Sequence, residues 1–230
     1  PFEGCGDLAK ELIDDGIVAM KIGPTIPVAT PSEGQYLAPN ELDHVLRPFR
    51  DIRDAVGGDI KIANDGHGKW SLPVAIQIAK EMEKLDIMWQ EDLMPLLNPQ
   101  SLRQLQEATT SPVCISERLL TRWQFREFIE NGAAQIVMPD LIWTGGITET
   151  HRIAIMASAH QVPVAPHDAT GPVNIFACAQ ICMNSPNAMI MEHVRPYLYG
   201  WYGEMVDPLP PIENGWLHAP ENPGIGTRLR

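Results

Sequence analysis

Asp65, Glu91 and Glu117 stand at equal intervals of 26 residues. The series runs on through Asp140, His167 and Glu192, at steps of 23, 27 and 25. Each of these residues closes or directly follows a short apolar run: IKIAND, IMWQE, PVCISE, AQIVMPD, VPVAPH and AMIME. A strand, a helix and two loops take about this many residues. The interval therefore reads as a repeated βα unit with one polar residue at the C-terminal end of each strand. In a barrel of such units those ends converge on one face, where active sites sit. Charges brought together there need partners or a metal ion, because desolvating an unpaired charge is costly.

Length suits one such domain. The chain has 230 residues, and a (β/α)8 barrel typically takes about 250. Residues 1–230 read as a single α/β barrel domain of the TIM type, with 44% hydrophobic residues for its core. The net charge of −12 disfavours nucleic acid and anionic membrane as partners. No run reaches the roughly 20 apolar residues of a membrane span. Cys5, Cys114, Cys178 and Cys182 form no CxxC pair, so reduced thiols and a cytoplasmic setting are expected. A homo-oligomer is expected as well.

Helices are legible between the strands. Ser71 is placed to cap a helix with Pro73 in its first turn, burying Ile76, Ala79 and Met82. Asn98 precedes Pro99 and opens SLRQLQEA. Thr121 opens RWQFREFIEN, with Phe125, Phe128 and Ile129 inward and a stop at Gly132. Gly146 starts a helix with Ile153 and Met156 inward, and Gly171-Pro172 starts another. Strand-like runs fall at 17–21, 60–64, 86–90, 113–116, 134–138, 162–166 and 188–191. That makes seven, where a closed barrel of this kind has eight. The first strand is expected to be missing, because the legible pattern opens on the helix DLAKELIDDG. Native function is accordingly expected to need residues before Pro1: that strand and a capping domain. One connection, about 23–42, exceeds the repeat and carries Tyr36. A long loop of this kind on the active face is usually functional.

The ordered set Lys21 in MKIG, Asp65 in NDGH, Glu91 in QED, Glu117 in SE, Asp140 in MPDLIWTGGI, His167 in APHDATGP and Glu192 in MEH resembles the barrel domain of the enolase superfamily, in its mandelate racemase branch. The resemblance spans nearly the whole chain. It implies that Asp65, Glu91 and Glu117 bind Mg²⁺ and that Asp140 and His167 form a dyad. It also implies that Glu192 donates to a substrate carboxylate oxygen. The residue chemistry agrees. Three carboxylates without an imidazole make a hard oxygen site suited to Mg²⁺ rather than Zn²⁺. Removing a proton next to a carboxylate builds charge on its oxygens, which a divalent cation stabilises.

Departures from the branch's pattern bear on the reaction. The triplet at the second strand is Ala19-Met20-Lys21, where Lys-x-Lys is common. This weakens a two-base racemase built on Lys21 and His167. His67, two residues after Asp65, is similar to an arrangement in acid-sugar dehydratases of the superfamily, where a His protonates the departing hydroxyl. His67 could instead only buttress its loop. The expected reaction is loss of water from an acid sugar, giving a 2-keto-3-deoxy acid. His167 is then the base, His67 the acid, and Lys21 a carboxylate contact or second base. Two alternatives stay open: racemisation or epimerisation of a 2-hydroxy or amino acid, and a barrel that only binds a ligand. For Asp140 alone, a helix N-cap is the ordinary structural role.

Overall fold

The computed structural model describes residues 3–24 and 32–230. Part of the connection expected at about 23–42 therefore lies outside the described residues. The chain divides into two compact units, Pro1–Cys114 with Asn131–Ala134, and Ile115–Glu130 with Gln135–Arg230.

In the first unit the elements alternate as the repeat predicts: α1 (Cys5–Asp14), β1 (Ala19–Ile22), α2 (Pro39–Val56), β2 (Lys61–Asp65), α3 (Leu72–Met82), β3 (Ile87–Glu91), α4 (Pro99–Ala108) and β4 (Val113–Ile115). β1 pairs with β2, β2 with β3 and β3 with β4, all parallel. α2 buries Val45, Phe49 and Ile52 on one face, the four- and three-residue steps of an amphipathic helix. Asn98 caps α4, its side chain accepting from Gln100 N and Ser101 N. Ser71 sits at the N-cap of α3 but makes no capping bond with its hydroxyl. Pro73, at the second helical position, removes one of the two N–H groups such a cap would use. The buried face of α3 is Val74, Ala75, Ile78, Ala79 and Met82. Ile76, expected inside, lies at the margin.

The second unit holds α5 (Thr121–Glu130), β5 (Ile136–Val137), α6 (Leu141–Thr144), α7 (Gly146–Ala159) and α8 (Pro172–Asn184). Phe125, Phe128 and Ile129 are buried as expected. On α7 the buried residues are Thr150, Ile153, Ala154 and Ala157, and Met156 is only partly covered. Two short helices, Arg195–Tyr199 and Tyr202–Met205, and two small antiparallel ribbons follow.

The runs at 162–166 and 188–191 are isolated parallel bridges rather than full strands: Val137 with Val164, Asp140 with His167, and Val164 with Ala188. Pro163 and Pro166 explain the first break, since neither can donate to a ladder. Their carbonyls still accept, Pro163 O from Val137 N at 3.1 Å and Pro166 O from Glu192 N at 3.2 Å. Pro139 O likewise accepts from His167 N at 3.2 Å. The strand ends that carry His167 and Glu192 are thus held in register through proline carbonyls.

Candidate active site

In the first unit, Asp65 and Glu91 end β2 and β3 and are register partners. Glu91 is 1% exposed. The Lys21 ammonium, from β1, lies 2.9 Å from both of its oxygens, and Trp89 Nε1 donates to Oε2 at 3.2 Å. A carboxylate this buried requires such partners. Both oxygens of Asp65 engage His67: its Nδ1 lies 2.7 Å from Oδ2, and its backbone N donates to Oδ1 at 2.9 Å. Burial works against the charged form of Asp65. The hydrogen bond from His67 and the charges of Lys21 and His67 outweigh it and hold the carboxyl below its usual range. Gly66 makes this turn possible. A Cβ there would stand 2.7 Å from Leu93 Cα and 2.9 Å from Asp92 O. His67 takes a left-handed conformation, φ 51°, which is uncommon outside glycine. The bond to Asp65 supplies the buttress that its place in Asp-Gly-His-Gly suggested.

In the second unit, His167 and Asp140 come together as expected. His167 Nδ1 lies 2.7 Å from Asp140 Oδ2. Asp140 is fully buried, and its Oδ1 accepts from Ile142 N at 2.8 Å and Trp143 N at 3.4 Å. The cap and the dyad are therefore the same carboxylate, one oxygen to each task. Thr170 Oγ1 adds a bond to Oδ2 at 3.1 Å. On the other edge of the imidazole, Nε2 faces Glu192 Oε2 at 3.6 Å and Glu117 Oε2 at 3.9 Å. The Trp143 ring centroid lies 6.3 Å from that of His167.

Three residues here escaped the sequence reading: Asp168, Thr170 and Asn174. All fall within HDATGPVN, directly after His167. Asn174, in the first turn of α8, donates Nδ2 to His167 O at 3.2 Å and to Asp168 Oδ1 at 3.0 Å. Cys178 Sγ, one turn on, contacts the same His167 carbonyl at 3.7 Å. Asp168 N donates to Glu192 Oε2 at 3.3 Å. Burial, with Glu192 and Asp140 nearby, raises the Asp168 carboxyl to about 7 against the bonds from Asn174 and the charge of His167.

Among the described residues, no three or more His, Cys, Asp and Glu side chains stand arranged to hold a metal ion. The donor chemistry nonetheless fits Mg²⁺. Asp65 and Glu91 offer only hard oxygens, and Lys21 marks a cation's place against Glu91. Glu117, the third expected ligand, is 8% exposed and faces His167 in the second unit.

Among the described residues no helix is long and apolar enough to cross a membrane. A family model described as Enolase C-terminal domain-like matches residues 5–230. The D-xylonate dehydratase of Haloferax volcanii is 29% identical over 230 residues, covering 99% of this chain and 56% of that protein. A D-galactonate dehydratase of Klebsiella pneumoniae is 32% identical over 193 residues, covering 82% of this chain and 50% of that protein. An enolase of the mandelate racemase subgroup from Agrobacterium tumefaciens superposes with a TM-score of 0.95 at 40% identity, over 99% of this chain and 62% of that one. An enolase from the Sargasso Sea environmental genome gives 0.94 at 35%, over 100% and 62%. The chain spans about half the length of the curated relatives it matches. On the match across residues 5–230, the chain belongs to the enolase C-terminal domain-like family.

Proposed function

We propose that the protein is an acid-sugar dehydratase, a hydro-lyase that takes a proton from C2 and a hydroxyl from C3 of an aldonate or aldarate. The observation that carries this reading is the His167–Asp140 dyad, 2.7 Å apart, with Nε2 on the opposite edge of the ring, towards Glu192 and Glu117. With Nδ1–H donated to Asp140, the Nε2 lone pair is the base. It takes the C2 proton. The electron pair left behind forms a C2–C3 double bond as the C3–O bond breaks. His67 Nε2 gives the proton with which the hydroxyl leaves as water. The resulting enol tautomerises to the 2-keto-3-deoxy acid.

Asp140 orients His167 and stabilises the imidazolium that forms. Glu192 donates to a substrate carboxylate oxygen, which requires its protonated form. Lys21 contacts the substrate carboxylate or serves as a second base. Asp65, Glu91 and Glu117 would hold Mg²⁺. When bound, the ion supplies positive charge against the negative charge that builds on the substrate carboxylate. The names of the two dehydratase relatives support this class, with D-xylonate and D-galactonate as the first substrates to try.

The test is a screen of mono- and diacid sugars with Mg²⁺ present, read as formation of 2-keto-3-deoxy acid. The expected result is turnover of at least one acid sugar. C2 deuterium exchange without water loss across the whole set would replace the reading with racemisation or epimerisation.

A further inference from the structure

We infer that Asp168 is held as a neutral acid paired edge to edge with the Asn174 amide, and that this pair clamps the backbone carrying His167. The inference rests on the dehydratase reading only in giving His167 its work. Half of the pair is visible: Asn174 Nδ2 donates to Asp168 Oδ1 at 3.0 Å. The remaining atoms, Asp168 Oδ2 and Asn174 Oδ1, are both buried and have no hydrogen-bond partner. Both residues are essentially inaccessible, at 0% and 1% exposure. Two orphaned acceptors on side chains already joined by one bond call for a donor between them. A proton on Asp168 Oδ2 supplies it and closes an acid–amide ring. Left unpaired, both buried acceptors would carry the full cost of their desolvation.

The surroundings favour the neutral form. Asp168 faces Glu192 and Asp140, both acidic, and the imidazole of His167. Cys178 and Tyr202, whose own ionisation burial opposes, are its other titratable neighbours. An ionised Asp168 would add a fourth carboxylate around an imidazole already faced by Asp140, Glu192 and Glu117. The consequence for His167 is mechanical. The same Asn174 Nδ2 that binds Asp168 also binds His167 O at 3.2 Å. Fixing the amide fixes the peptide between base and acid, whose N–H in turn holds Glu192. Asp168 and Asn174 are therefore positioning residues.

Infrared difference spectra across about pH 5 to 9 test the pair, with Asp168→Asn as the control and the ¹⁵N shifts of His167 recorded alongside. The expected result is a protonated-carboxyl band that fades as pH rises through neutrality and is missing in Asp168→Asn, which keeps an amide-for-acid ring. The wild-type kcat should fall above neutrality as the ring opens, and that limb should vanish in Asp168→Asn. Asp168→Ala should lower kcat about tenfold with KM within about twofold. Absence of the band in the wild type would overturn the inference. So would an Asp168→Asn variant as impaired as Asp168→Ala. If no acid sugar is turned over, the dehydratase reading fails, while the band and the His167 shifts still decide for or against the pair.

Discussion

Asp140 serves His167 and the start of α6 with different oxygens of one carboxylate: Oδ2 lies 2.7 Å from the imidazole Nδ1, and Oδ1 caps Ile142 N at 2.8 Å. A base oriented this way cannot drift without uncapping a helix. Asp140→Asn keeps a cap oxygen but presents an amide whose N–H₂ opposes Nδ1–H. It should lower kcat by about 10²- to 10⁴-fold, the usual weight of general base catalysis, with a stability loss of only about 1 kcal/mol. Steady-state kinetics beside a denaturant melt would separate the two effects. An activity loss no larger than the melt explains would contradict the dyad.

His67 contacts Asp65 through Nδ1, and in the proposed reaction its Nε2 serves the leaving hydroxyl. His67→Asn should lose dehydration yet retain C2 exchange, because His167 is untouched. Proton NMR in D₂O measures both at once. Equal loss of the two activities would reduce His67 to a buttress of its loop.

Lys21 compensates the buried Glu91. Lys21→Met removes that cation from a buried carboxylate and should cost about 3 kcal/mol in metal-free buffer. Saturating Mg²⁺ should recover much of this loss, because it restores positive charge at the same carboxylate. Thermal melts with and without Mg²⁺ check this. A loss that Mg²⁺ does not diminish would count against Glu91 as a ligand.

Asp168 makes stability depend on pH. Burial raises its folded carboxyl to about 7, above the ordinary aspartate range. The folded state therefore holds the proton over a range where the unfolded chain has released it. Stability from this group is full below about pH 4 and declines as pH rises towards 7. At about 1.4 kcal/mol per unit the decline amounts to a few kcal/mol. Asp168→Asn should flatten it, raising the midpoint of a melt at neutral pH relative to wild type. A parallel decline in wild type and variant would contradict the raised carboxyl.

Much of the candidate site was legible because its polar residues follow the period of the topology. Asp65, Glu91, Asp140 and His167 each lie where a βα repeat ends its strand, and the pairing of Asp140 with His167 followed from adjacent strand ends. Asp168 and Asn174 were not legible for the opposite reason. Their contacts depend on how α8 returns across the backbone of His167, which no interval records. Ser71 shows a smaller failure: a good cap residue stands at the helix start without making a capping bond. The later strands were overread because VPVAPH is apolar enough for a strand, but its prolines cannot sustain a ladder.

As the proposed base, His167 Nε2 takes the C2 proton of an acid sugar. The direct measurement is incorporation of solvent deuterium at C2 by wild type and His167→Asn, with Mg²⁺ and an acid sugar the wild type turns over. Exchange or elimination is expected of the wild type and none above background of His167→Asn, whose fold, checked by its melt, is intact. Persistent C2 exchange in His167→Asn would contradict it and assign the base elsewhere, with Lys21 the first residue to examine.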